Sequence, residues 1–156
     1  MSTAIIMSIH PINAQSTKPQ LVSVSQLLLK SDAEALKIAE KINPEFFVVD
    51  EENFDKATFS AHFLPLDIKN PKRFLVLSAS NTNYYCTSYG CPYYIYEQHK
   101  NNQWSLALSV QALSLFYDKN TQGSSIHNLI SQSIEQAKSK ISFWLWNGQY
   151  FKKLER

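Results

Sequence analysis

Cys86 and Cys91 are the two cysteines of this 156-residue chain, and they flank Thr87-Ser88-Tyr89-Gly90 with Pro92 immediately after. A four-residue spacer containing glycine lets the backbone turn back until the Cα atoms reach the roughly 4.4–6.8 Å that a disulfide spans. The chemistry this pattern predicts is a local crosslink that fixes a bend between two strands, stabilising the fold by about 2 kcal/mol on chain-entropy grounds. Such bonds persist in oxidising compartments. The competing arrangement is a pair of free cysteines packed as small hydrophobes. A structural zinc centre needs four ligands and the chain has no second cysteine pair; a thioredoxin-type redox motif needs a two-residue spacer at a helix start.

If a thiol is free, a nucleophile at Cys86 or Cys91 paired with His99 or His127 makes a thiol-dependent or other small hydrolase the alternative function. The four histidines, His10, His62, His99 and His127, show no spacing that sets two on one face. They read as solvated or singly hydrogen-bonded. Asp50, Glu51, Glu52 and Asp55 read as a solvated turn rather than a cation site. No serine sits in a G-x-S-x-G elbow, and three scattered glycines make no phosphate-cradling loop. Neither a metal nor a cofactor is expected. What crowds around the cysteines is aromatic: Tyr84, Tyr85, Tyr89, Tyr93, Tyr94 and Tyr96. Strand alternation sends about half of them to each face. They either cover helices and pair across strands or form a recognition surface, tyrosine being favoured at interfaces for its rigid apolar body and polar tip. Tyr85, Tyr89 and Tyr93 are the candidate partner surface.

The elements that must hold these residues follow from periodicity. Between Val22 and Ile42 the apolar positions recur at steps of three and four, which predicts one helix, or two with a break near Ser31, where Ser31 and Glu34 form a capping box. Pro44 ends helical geometry at Asn43. Glu45 to Val49 reads as a strand, Asp50 to Asp55 as a turn, and Thr58 to Phe63 as a strand with aromatics on one face. Phe74 to Ser80 is continuously apolar, as in a strand buried on both faces at the centre of a sheet. After the Asn81-Thr82-Asn83 turn come strands at Tyr84 to Ser88, Tyr93 to Gln98 and Trp104 to Leu115. His99 to Gln103 forms the hairpin loop, and Trp104, Leu106, Leu108 and Val110 share one face. Residues 126–140 fit a helix or a strand. Ile141 to Trp146 and Gln149 to Leu154 form a terminal hairpin across Asn147-Gly148, a pair suited to a two-residue type I′ turn.

Composition sets the class. Hydrophobic residues make up 44% and charged residues 18%, an ordinary globular balance. A net charge of +2 gives no long-range field toward nucleic acid or anionic lipid. Ala4 to Ile9 is a short apolar run, and Ile12-Asn13-Ala14 resembles a signal-peptidase site. Residues 1–20 are therefore a signal remnant or a flexible leader, and residues 21–156 one domain. No stretch approaches the roughly 20 apolar residues of a membrane-spanning helix.

The strand at Phe74 to Ser80, the Cys-x4-Cys-Pro segment, the aromatic strand Tyr93 to Tyr96, the Trp104-led strand and the Trp146-Asn147-Gly148-Gln149-Tyr150 closure together resemble small exported proteins of Gram-negative bacteria. Those are similar to degenerate FG-GAP or VCBS-type β units, and the resemblance covers about residues 64–156. The family often binds calcium at an aspartate-rich turn before the central strand. Here the matching stretch offers only Asp67 and Asn70 among three cations, too few oxygens for a hard divalent ion. The resemblance also implies a strand after Ile126.

The sequence thus predicts an α+β fold: an N-terminal helix or helix pair packed on a mainly antiparallel sheet of about six to eight strands, closed by a C-terminal Asn-Gly hairpin. Its predicted role is a periplasmic or secreted, non-enzymatic binding module of the inhibitor or immunity type, with another protein as partner.

Overall fold

The computed structural model describes residues 18–48, 58–80, 85–121 and 123–155. Among the described residues, nine strands and three short helical segments run in the order β1 (Leu21–Ser23), α1 (Val24–Leu27), α2 (Ala33–Ile42), a 3₁₀ turn (Pro44–Phe47), β2 (Thr58–Leu64), β3 (Phe74–Ser80), β4 (Cys91–Gln98), β5 (Trp104–Ala112), β6 (Ser114–Asp118), β7 (Leu129–Glu135), β8 (Lys138–Trp146) and β9 (Phe151–Lys153). All pairings are antiparallel. Sheet I has the order β1-β6-β7-β8-β9 and sheet II the order β2-β3-β4-β5.

This overturns the predicted α+β fold with a helix pair on one sheet: the described chain is mostly β, with two sheets and a single helix longer than one turn. Tertiary pairing overrides local propensity in the first segment. Leu21, Val22 and Ser23 pair with Asp118, Tyr117 and Phe116, so α1 begins only at Val24, where the Ser23 hydroxyl accepts the Gln26 N–H at 3.1 Å. Ser31 does not cap a helix. Its hydroxyl donates to the Ala61 carbonyl at 3.2 Å and accepts the Ala61 N–H at 3.0 Å, tying the break to β2. Asp32 caps α2 instead, accepting the Ala35 N–H at 2.9 Å. The helix stops before Pro44. The strand expected from Glu45 to Val49 is a 3₁₀ turn over Pro44–Phe47 with Phe46 buried. The turns at Asp50 to Asp55 and Asn81 to Asn83 lie outside the described residues.

Two cores result. Between the sheets lie Leu64, Phe74, Val76, Ile95, Leu108, Leu115, Leu129 and Phe151. Behind sheet II, Ala35 and Ala39 of α2 and Phe46 of the 3₁₀ turn pack on Leu75, Leu77 and Tyr96. β3 therefore alternates between cores and is buried on both faces, in an interior position of sheet II. A register shift between Ile95 and Tyr96 makes a bulge in the pairing with β5. It breaks the predicted common face of that strand. Leu108 and Val110 point between the sheets, while Trp104 packs behind sheet II and Leu106 is exposed. The chain then bends at Leu113, whose N–H donates to Gln132 of β7 at 2.7 Å, and continues as β6 in the other sheet.

Residues 129–135 are strand. Glu135 pairs with Lys138, leaving Gln136 and Ala137 as a two-residue turn with φ of 50° and 62°, the positive angles of a type I′ hairpin. The terminal hairpin forms too, but Trp146 pairs with Phe151. Its loop therefore has four residues, in which the Asn147 Oδ1 accepts the N–H groups of Gln149 and Tyr150, each at 2.9 Å.

Candidate functional site

The chain enters β4 through a small crosslinked hairpin. Thr87 and Gly90 exchange backbone hydrogen bonds of 2.8 and 3.0 Å around Ser88 and Tyr89, and the Thr87 hydroxyl accepts the Tyr89 N–H at 3.1 Å. Cys86 and Cys91 are disulfide-bonded with a Cα separation of 4.2 Å. The predicted crosslink is present. The predicted strand from Tyr84 to Ser88 is not: Tyr84 lies outside the described residues, and 85–88 are turn with a single bridge at Thr87.

Gln111, absent from the sequence reading, and Gly90 fix this hairpin against the rest of the protein. Gln111 of β5 donates its side-chain amide to the Gly90 carbonyl at 2.7 Å, with the Tyr85 carbonyl at 3.2 Å and the Thr87 hydroxyl at 3.4 Å. Gly90 has φ of 121°, and a Cβ there would lie 2.0 Å from the backbone carbonyl of Ala112. Only glycine fits, because the hairpin rests on the corner where the chain leaves sheet II for sheet I. Gly90 was legible as a source of backbone freedom; the corner beneath it was not.

The structure separates the three tyrosines of the predicted surface. Tyr89 sits at the tip, 51% exposed. Tyr93 is buried between the sheets with its hydroxyl 3.0 Å from Ser25 Oγ. Tyr85 packs behind sheet II, its ring 4.7 Å from that of Phe46, and its hydroxyl donates to the Phe46 carbonyl. Tyr94 and Tyr96 join the same aromatic cluster. Burial raises the pKa of Tyr96, whose hydroxyl accepts from the Asn43 amide at 3.1 Å. Beside Tyr89, a shallow depression of about 330 Å³ is lined by Thr87 and Gln111 on one side and by Ser133 and Glu135 of β7 on the other.

With both sulfurs in one bond, neither cysteine supplies a thiolate. The Nε2 of His99 lies 2.6 Å from Ser105 Oγ and the Nδ1 of His62 lies 2.8 Å from the Phe63 carbonyl. His127 stacks on Tyr117, and burial lowers its pKa. His10 lies outside the described residues. Asp67 and Asn70, the two oxygen donors considered for calcium, are engaged within the chain. The Asp67 carboxylate takes Arg73 at 3.0 Å and the Lys69 N–H at 2.8 Å, and the Asn70 Oδ1 takes the Lys72 N–H at 3.2 Å. Burial works to raise the Asp67 pKa, but the hydrogen bonds and charge of Arg73 outweigh it and hold the carboxyl below its usual value.

No protein-family model, curated protein or solved structure matches this chain.

Proposed function

We propose that the chain is a periplasmic or secreted binding module of the inhibitor or immunity type, which contacts another protein through the disulfide-braced hairpin with Tyr89 as its anchor. The observation that carries this reading is one exposed tyrosine at the tip of a hairpin fixed three ways, by the crosslink, by Gln111 and by the seat of Gly90. A pre-ordered loop has little conformational entropy left to lose on association, and a tyrosine brings large contact area with few rotors. The crosslink supports an oxidising compartment, as does the resemblance to exported β units. Among the described residues no helix is long and apolar enough to cross a membrane.

The test is photo-crosslinking from position 89 in periplasmic extract, followed by affinity measurement on the captured protein. The expected result is one discrete adduct, whose binding Tyr89→Ala weakens about tenfold or more. Equal binding by Tyr89→Ala, or no adduct, overturns the reading.

A further inference from the structure

At the end of β4 opposite Tyr89 there is an open cleft of about 950 Å³, within the roughly 300–1,000 Å³ usual for small-molecule sites. Its walls are the approach to β3 (Asn70, Arg73), the end of β4 (Glu97), the β4–β5 loop (Lys100, Asn101) and the turn after β8 (Gly148). Among the described residues, no lining side chain is apolar.

One wall is built to hold a fixed geometry. Arg73 Nη1 donates to Asp67 Oδ2 at 3.0 Å, its Nε donates to Glu97 Oε2 at 2.9 Å, and its Nη2 donates to the same Glu97 oxygen. The guanidinium lies over the rings of Phe74 and Trp146, 5.2 and 5.5 Å from their centroids. Both carboxylates are nearly buried. A desolvated ion cluster of this kind is weak evidence for stability, since packed hydrophobes of the same volume often serve as well. Its distinctive property is directionality: a guanidinium has five N–H donors in a rigid fork, and these three bonds leave one on each Nη. Glu97 Oε1 keeps its acceptor capacity, with His99 Nδ1 at 4.0 Å. Asn70 and Asn101 spend their Oδ1 atoms on the N–H groups of Lys72 and Gln103, which leaves their amide NH₂ groups as oriented donors.

The charge balance selects the ligand class. Asp67 and Glu97 are offset by Arg73 and Lys100. An incoming anion meets two carboxylates that already occupy Arg73, and an incoming cation meets Arg73 and Lys100. What suits a neutral wall of fixed donors plus a free acceptor is a neutral ligand dense in hydroxyls, since a hydroxyl both donates and accepts. We propose that this cleft binds a short neutral saccharide, with Arg73, Asn70 and Asn101 donating to its oxygens and Glu97 accepting from a hydroxyl. The site stands at the far end of β4 from Tyr89 and does not depend on that residue having a partner.

The experiment is a ¹⁵N-NMR titration of the full chain with chitotriose, maltotriose and cellotriose, each to about 10 mM. The expected result is that at least one of the three saturably shifts the backbone amides of residues 97–102 and 148. Asn101→Asp keeps an oxygen that caps the loop, but replaces the NH₂ donors with an acceptor and adds one negative charge. It is expected to weaken that binding about fivefold, the loss of one net hydrogen bond, while the remaining spectrum is unchanged. No shift with any of the three sugars overturns the proposal, as does equal binding by Asn101→Asp. It is also overturned if inorganic phosphate or calcium chloride shifts the same amides at lower concentration than every sugar.

Discussion

β3 and β8 are both interior strands of antiparallel sheets, and both carry apolar side chains on their two faces. Leu75 and Leu77 of β3 are fully buried under α2 and the 3₁₀ turn, whereas Ile141 and Leu145 of β8 are 57% and 37% exposed. Phe74 and Val76 on one strand, and Trp144 and Trp146 on the other, point into the shared core. The outward faces therefore differ in cover, not in composition. Among the described residues nothing lies behind sheet I as α2 lies behind sheet II. Apolar residues on a strand create the demand for a covering layer; among the described residues that demand is met where the connectivity brings a helix past the sheet, here in residues 33–47 just ahead of β2. Most of the fold's stability should therefore reside in sheet II and the shared core.

The largest expected effect is at the covered strand. Leu77→Ala should lower the unfolding free energy by about 3 kcal/mol, because a fully buried leucine leaves a cavity; urea denaturation measures it. Next is the corner that joins the two sheets. Replacing Cys86 and Cys91 together by serine should cost about 2 kcal/mol, the chain-entropy contribution of so short a loop, and hydrogen exchange should rise first at Gln111 to Leu113, where the hairpin is seated. Sheet I can be strengthened at its tightest turn. Gln136→Asn with Ala137→Gly should raise stability by about 1 kcal/mol, since both positions hold positive φ that these residues adopt at less cost. The smallest effect is expected at the open face, where Leu145→Ala should change stability by no more than about 0.5 kcal/mol. A cost near that of Leu77→Ala would show that the face behind sheet I is covered in solution, and the contrast between the sheets would fail.

Much of the strand pattern was legible. β3 was predicted over its full span because an unbroken apolar run fits a strand with cores on both sides, and β2 and the His99 to Gln103 loop follow from alternation and polarity. The disulfide was legible as the favoured of two readings, because a four-residue spacer with Gly90 allows the two cysteines to meet; the structure decided it against free thiols. What failed did so for reasons outside local sequence. Val22 fits a helical stripe, yet it pairs with Tyr117 nearly a hundred residues later. Trp104 fits the alternation of Leu108, yet one bulge turns it to the other face. Gln136-Ala137 has helical composition and still makes a tight turn, because β7 and β8 are held in register by seven pairs. Tyr93 and Tyr89 look alike in sequence, and only their distance from the shared core separates a buried residue from an exposed tip.

Residue type and spacing by themselves determined the most buried strand and the helix stop at Pro44, and made the crosslink the favoured reading, since each depends on covalent geometry or on short-range periodicity. The tertiary structure alone decided that there are two sheets, that Gly90 rests on the corner between them, and that Arg73, Asp67 and Glu97 meet at one end. These features join segments distant along the chain, and which segments meet is set by the packing of the whole molecule, which no local window of sequence contains.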